Sequence, residues 1–285
     1  MRRIEQIPTL PVVTKRILEI GEDDPRAFQK YTELIKADQA LALKVLKLAN
    51  SALYGGLGRV STLDSAMVRL GTREVQTAVL AFTVQGFFST EAGGVFDRKR
   101  FWKHALVTSQ AAKLLSLTYR VQPDEWVFLI GLIHDVGKAF TDAYLHEDFL
   151  RVVDILHSRH TTFSRAEKVV LGTTHYQIGA KLLKKWRFPP EVFLPVLYHH
   201  APWYEHEHQD ATILLYLANI LSKLAGYPSH VDEKALDPAE FASSPEARFV
   251  IKSGFDLDLD TLQRLTAKLR DLIREEAANM MAIFD

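Results

Sequence analysis

The 285-residue chain contains no cysteine. That excludes disulfides, a thiolate zinc site and a thiol nucleophile, and leaves His, Asp and Glu to hold any metal. Net charge is also lacking, with 35 Lys+Arg against 35 Asp+Glu, so nothing steers the chain over long range to duplex nucleic acid or an anionic membrane. No stretch approaches the roughly 18 uninterrupted apolar residues of a membrane span. The opening Met1-Arg2-Arg3-Ile4-Glu5 runs into Pro8 and Pro11 with no apolar signal region. Period-two runs bounded by turn residues, internal repeats and low-complexity tracts are missing as well. The expectation is a soluble cytoplasmic protein with no nucleic-acid or membrane partner and no organic cofactor.

What is present is helical periodicity. Leu41, Val45, Leu48 and Ala52 recur at steps of three to four residues, as do Leu262, Leu265, Leu269, Leu272 and Ile273. Start signals agree: Asp124 opens a helix through Val136, Ser164 and Glu167 read as a capping box ahead of Val169–Trp186, and Asp258 or Asp260 caps the last helix. Pro189-Pro190 separates two helices. The fold class is therefore all-α. Gly93-Gly94 and the charged run Asp97–Arg100 place a boundary near residue 95, giving an N-terminal helical lobe over 1–95 and a second lobe over 96–285.

Eleven histidines are present, and several share helix faces with apolar residues. His104 lies in a stripe with Phe101, Thr108, Ala111 and Leu115, so it points inward. His134-Asp135 ends an apolar helix. His175 shares a stripe with Leu171, Ile178 and Leu182, and Gly172 and Gly179 beside it would admit another helix. His199-His200 closes the helix that starts near Pro190. Several imidazoles and a carboxylate without sulfur suit Zn, Fe, Mn or Ni, as one or two divalent ions. His199 and His200, about 100° apart on a helix, cannot both aim at one ion unless the helix ends there. His146, His157, His160 and His230 fit no common stripe and read as surface residues.

This ordered series resembles the HD superfamily of metal-dependent phosphohydrolases: His104, Gly131-Leu132-Ile133-His134-Asp135-Val136-Gly137-Lys138, Gly172-Thr173-Thr174-His175, and Tyr198-His199-His200. Ile7-Pro8-Thr9-Leu10-Pro11, Ile35-Lys36-Ala37-Asp38, Leu43–Ala52 and Ala66 to Gly71 narrow the resemblance to the HDOD family, the HD-related output domain of bacterial signalling proteins. The resemblance implies an HD-like helical bundle with an added N-terminal lobe. It implies that His104, His134 and Asp135 hold a first metal, and that His175 with His199 or His200 holds a second. Asn219 stands where the superfamily carries a distal Asp ligand, and Lys138 matches a phosphate-contacting lysine. Arg100, one turn before His104, stands where some relatives carry a glutamate. An amide at 219 brings no charge and removes a group that could orient or deprotonate water. The reading that follows is a regulatory protein acting through signalling-protein contacts, with a retained or vestigial His/Asp metal site and no phosphohydrolase activity. The alternative is a divalent-metal phosphohydrolase in which Asp135 positions hydroxide and Lys138 stabilises phosphate.

Other features have simpler readings. Asn50-Ser51 caps the end of an apolar helix. Trp203–His208 is a solvated loop. The apolar tail Met280–Phe284 docks on the body or forms a homodimer contact.

Overall fold

The computed structural model describes residues 12–20, 24–50, 54, 58–88, 96–121, 126–159, 161–233 and 235–281. Among them the secondary structure is helical and no strand occurs. The N-terminal part comprises α1 (Val12–Glu19), α2 (Ala27–Lys36), α3 (Gln39–Ala49), α4 (Leu63–Leu70) and α5 (Thr72–Phe87). Local chemistry sets their ends. Asp38 caps α3 by accepting from Leu41 N, and Thr62 caps α4 by accepting from Ser65 N. After α3, Asn50 donates to the Leu46 and Val60 carbonyls and accepts from Val60 N, at 2.8–2.9 Å. The expected C-terminal role of Asn50 is thus seen, extended to a tie across ten residues. The tail residues 282–285 and His160 lie outside the described residues, as do Ile7–Pro11 and Ser51.

The centre of the molecule is α6 (Arg98–Tyr119), capped by Asp97 at Arg100 N and buried along most of its length. It lies against α7 (Val127–Ile133) and α13 (Gln209–Leu224). Between them run α8 (Val136–Tyr144), α9 (His146–Arg159), α10 (Phe163–Leu171), α11 (His175–Lys185) and α12 (Pro190–Tyr198). The chain continues through α14 (Pro238–Ala242) and α15 (Pro245–Lys252) to α16 (Leu259–Met281), which packs on α13, α6 and α3. The expected stripe of α16 is buried at Leu262, Leu265, Leu269 and Ile273, each contributing roughly 1.5–3 kcal/mol on transfer from water. One apolar cluster runs from Ile17 through Leu215, and a second joins α6, α13 and α14–α16.

Two expected helices are each interrupted. The helix read through Val136 breaks at His134-Asp135, where α7 passes to α8. The helix read over Val169–Trp186 breaks at Gly172–Thr174, because Gly172 adopts φ +69° and ends α10. Both breaks turn site residues away from a continuous helix face, and both are sealed by glycine. A Cβ on Gly137 would stand 2.0 Å from the His175 carbonyl oxygen, and one on Gly131 would stand 2.5 Å from Ser109 Cα. Only glycine lets α8 approach α11, and α7 approach α6, this closely. Gly179 also faces α8, as expected, whereas Gly172 acts through its backbone angle.

Candidate metal centre

The ends of α7 and α12 and the start of α11 bring His134, Asp135, His175, His199 and His200 together, and α6 adds His104. Two sets of ligand atoms form, His104–His134–Asp135 and Asp135–His175–His199–His200, each lying within 4.8 Å of one another. Asp135 belongs to both. Its Oδ2 faces His134 Nε2 at 3.4 Å and His104 Nε2 at 3.8 Å. Its Oδ1 faces His175 Nε2 at 3.2 Å and His199 Nε2 at 3.7 Å, with no aligned hydrogen bond. α12 ends at Tyr198, which lets both His199 and His200 enter the cluster.

The hydrogen bonds on the far side of each ring fix which nitrogen is free. His104 Nδ1 donates to the Tyr227 carbonyl at 2.7 Å, His134 Nδ1 to Gly131 O at 2.8 Å, and His199 Nδ1 to Val196 O at 2.7 Å. His175 Nδ1 donates to Glu167 Oε2 at 2.6 Å. Carbonyl oxygens only accept, so Nδ1 carries the proton and each neutral ring offers a lone pair at Nε2. The free nitrogens converge: His104 Nε2 lies 3.3 Å from His134 Nε2, and His175 Nε2 lies 3.1 Å from His200 Nε2. His199 Nε2 and Asn219 Oδ1 are buried without a partner.

Electrostatics reinforce the donor character. Burial, with His134 adjacent, lowers the His104 pKa to about 3. Burial and neighbouring imidazoles push His199 and His200 well below the usual histidine value. His175 moves the other way: burial opposes its charge, but the Glu167 and Asp135 carboxylates outweigh it. Asp135 is likewise penalised by burial, yet His134, Lys138 and His175 hold it well below the ordinary carboxyl range. The Nε2 atoms of His104, His134, His175 and His199, each with its Nδ1 anchored to a carbonyl or carboxylate, form the arrangement of metal-ligating histidines and their supporting shell. The facing lone pairs of His104 and His134 repel unless a cation lies between them, so the residues present fit a metal ion.

Asn219 is buried on α13, one turn before Ser222, whose Oγ lies 3.3 Å from His104 Nδ1. Lys138 is also buried; its Nζ donates to Asp135 Oδ2 at 2.6 Å and to Ser229 Oγ at 2.9 Å. Arg100 stays partly exposed and faces Asp97 at 3.6 Å, in a cleft of about 280 Å³ with Lys103, Tyr227 and Pro228. His146 is partly exposed on Asp142, and His157 is exposed beside Asp232. His230 departs from the surface reading: it is buried, 6.2 Å from the Phe163 ring.

Several supporting residues escaped the sequence reading. Thr162, not Ser164, caps α10, which frees Glu167 to clamp His175 through both Nδ1 and the backbone N. The segment after α13 supplies the Tyr227 carbonyl, Ser229 and Glu233, the last lying 3.6 Å from Lys138 and 3.4 Å from Lys223. Glu205, inside the supposed solvated loop, is buried and accepts from Glu207 N and His208 N at the start of α13. Glu167 carried the one readable signal, a carboxylate eight residues before a candidate ligand.

Among the described residues an all-helical bundle encloses a His/Asp cluster that could hold a metal ion. The family model of the HDOD domain matches residues 7–202, and the chain belongs to that family. It is 28% identical over 207 residues to an uncharacterized protein of Treponema pallidum (strain Nichols), covering 70% of this chain. The chain spans only 38% of the length of that relative. An HDOD domain protein with unknown function from Geobacter sulfurreducens shares the fold with a TM-score of 0.77 at 24% identity, over 94% of this chain and 93% of that one. A candidate phosphohydrolase from Shewanella amazonensis SB2B matches with a TM-score of 0.77 at 23% identity, over 100% and 97%. Among the described residues no helix is long and apolar enough to cross a membrane.

Proposed function

We propose that the chain is a cytoplasmic bacterial signal-transduction regulator that acts through protein contacts and holds one or two metal ions in the His/Asp centre without turning over phosphoesters. The observation that carries this reading is closure of the centre. His104, His134, His175 and His199 are 0% exposed and Asp135 2%, and of the six candidate ligands His200 alone is partly exposed, which leaves a phosphoester little access to the ligand atoms. Asn219 adds no charge where a carboxylate would hold or deprotonate water. His104, His134 and Asp135 would hold one ion, with Asn219 beside them, and Asp135, His175, His199 and His200 the other. When bound, a divalent ion of Fe, Mn, Zn or Ni would supply Lewis acidity and lock the tautomers of these rings. Zero net charge favours a protein partner, a second copy included, over nucleic acid or membrane.

A second reading, divalent-metal phosphohydrolase, draws support from the four Nε2 atoms oriented on Asp135 and from the name of the Shewanella neighbour. Here Asp135 would orient the attacking water and Lys138 would meet phosphate. Elemental analysis of the purified chain, followed by bis(p-nitrophenyl) phosphate turnover by the metal-loaded protein and by Asp135→Ala, separates the two. The regulatory reading expects bound metal, no turnover above the Asp135→Ala background, and partner binding that survives His134→Ala. Turnover that vanishes in Asp135→Ala would overturn it, and absence of any stoichiometric metal would remove the centre from both readings.

A further inference from the structure

We propose that Lys138 is a resident cation on the Oδ2 side of Asp135, and that it must move toward Glu233 before that side accepts a metal ion. The two halves of the centre then load in order, the His175–His199–His200 half first. This rests on the metal reading above.

The two oxygens of Asp135 are not equivalent. Oδ1 meets imidazole nitrogens alone and makes no aligned hydrogen bond. Oδ2, which faces His104 and His134, also accepts a charge-assisted hydrogen bond from Lys138 Nζ at 2.6 Å. A metal ion on Oδ2 would share a buried oxygen with an ammonium group, and two cations so close in a low-dielectric interior repel strongly. Among the described residues no lysine or arginine faces Oδ1, whose nearest neighbour is the His175 imidazole at 3.2 Å, itself a ligand that gives up its Nε2 proton when it binds a metal ion.

The structure also provides a place for the displaced charge. Glu233 Oε1 stands 3.6 Å from Lys138 Nζ, and Ser229 Oγ bridges them, 2.9 Å from Nζ and 2.8 Å from Oε1. A shift of about 1 Å would convert the Glu233 contact into a full hydrogen bond and free Oδ2. The Phe163 ring lies 4.7 Å from Nζ in the observed position. Glu233 cannot follow the lysine, because Lys223 holds its other oxygen at 3.4 Å. Ser229 and Glu233 belong to the same segment as Tyr227, whose carbonyl orients His104. Movement of Lys138 therefore couples loading of the His104–His134 half to the chain that closes over it.

Titration of the metal-free full chain with Co(II), read by elemental analysis after gel filtration and by the visible absorption of bound cobalt, tests the order. The wild type should take one equivalent tightly and a second at least about tenfold more weakly. Lys138→Met should bring the second affinity close to the first and leave the first unchanged. Glu233→Gln, which strands the lysine on Asp135, should weaken the second equivalent further, and it serves where Lys138→Met does not fold. His104→Ala should abolish only the second equivalent, and His175→Ala should weaken the first. Two equal equivalents in the wild type, an unchanged second affinity in Lys138→Met, or loss of the first equivalent in His104→Ala would overturn the order while leaving the metal reading intact. No cobalt bound by the wild type would overturn both.

Discussion

Replacing Gly137 by alanine tests whether the close approach of α8 to α11 builds the centre. An added Cβ would lie 2.0 Å from His175 O, 2.7 Å from His175 C and 2.9 Å from His175 Cα, where ordinary contact begins near 3.4 Å. All three atoms are backbone, so no side chain can swing aside. The helices must part by about 1 Å or more, with an overpacking cost at or above the upper end of about 1–3 kcal/mol. Alanine recovers about 1 kcal/mol of helix propensity, which leaves a net loss of about 2 kcal/mol or more. For a chain of this size that lowers Tm by roughly 4–8 °C. The same shift draws His175 Nε2 away from Asp135 Oδ1, now 3.2 Å distant, so metal affinity falls with stability. Gly86→Ala, inside α5 with nothing within 4 Å of the new Cβ, is the control and should raise Tm slightly. Thermal denaturation with and without Co(II) reads both effects. A Gly137→Ala protein with unchanged Tm and unchanged cobalt affinity would refute the packing argument.

Glu167→Gln removes the charged acceptor of His175 Nδ1 and weakens metal binding by about 10–100-fold, measured by competition with a chelating dye. Asn219→Asp adds a carboxylate at the position proposed to stand beside the His104–His134–Asp135 ion and should tighten metal binding; any phosphodiester turnover gained would show that the amide silences the site. Asn50→Ala leaves Val60 N and the Val60 carbonyl without the Asn50 amide, while Leu46 O keeps the backbone N–H of residue 50, and should cost about 1–3 kcal/mol, visible in a urea melt. The metal-free protein should lose stability as pH falls from 7 to 5. His104, His199 and His200 have lowered pKa values, so the unfolded chain binds protons near pH 6.5 that the folded chain refuses, and their contribution is present above that pH and lost below it. His175, whose value is raised, contributes oppositely, so three shifts outweigh one. A Tm that rises between pH 7 and pH 5 would contradict these environments.

The helices and the inward histidines were legible because each rests on local periodicity. His104 sits in an apolar stripe that one helix reveals by itself. What stayed hidden depends on distant chain. Glu167 looked like a capping residue because a Ser-x-x-Glu pattern has a local explanation, yet the preceding Thr162 takes that role and the carboxylate turns to His175. The breaks at His134-Asp135 and Gly172–Thr174 fall inside apolar patterns that continue on both sides, so periodicity alone joins them. His230 shares no stripe with the candidate ligands, and its burial follows from the segment after α13 folding back on Phe163. Tyr227 contributes through a backbone carbonyl, which no residue type announces.

That carbonyl lies 123 residues beyond the ring it orients. Closing so long a separation is slow compared with forming the local helices, and during synthesis it waits for the ribosome to release the chain past residue 227. His104, His134 and Asp135 are then made early and completed late. A fragment ending at residue 202, where the family match stops, would lack Asn219, the Tyr227 carbonyl, Ser229 and Glu233 together. Such a fragment would carry most of the metal donors while its first histidine lacked the acceptor that fixes its tautomer, so the boundary that defines the family by sequence is shorter than the unit that builds the centre.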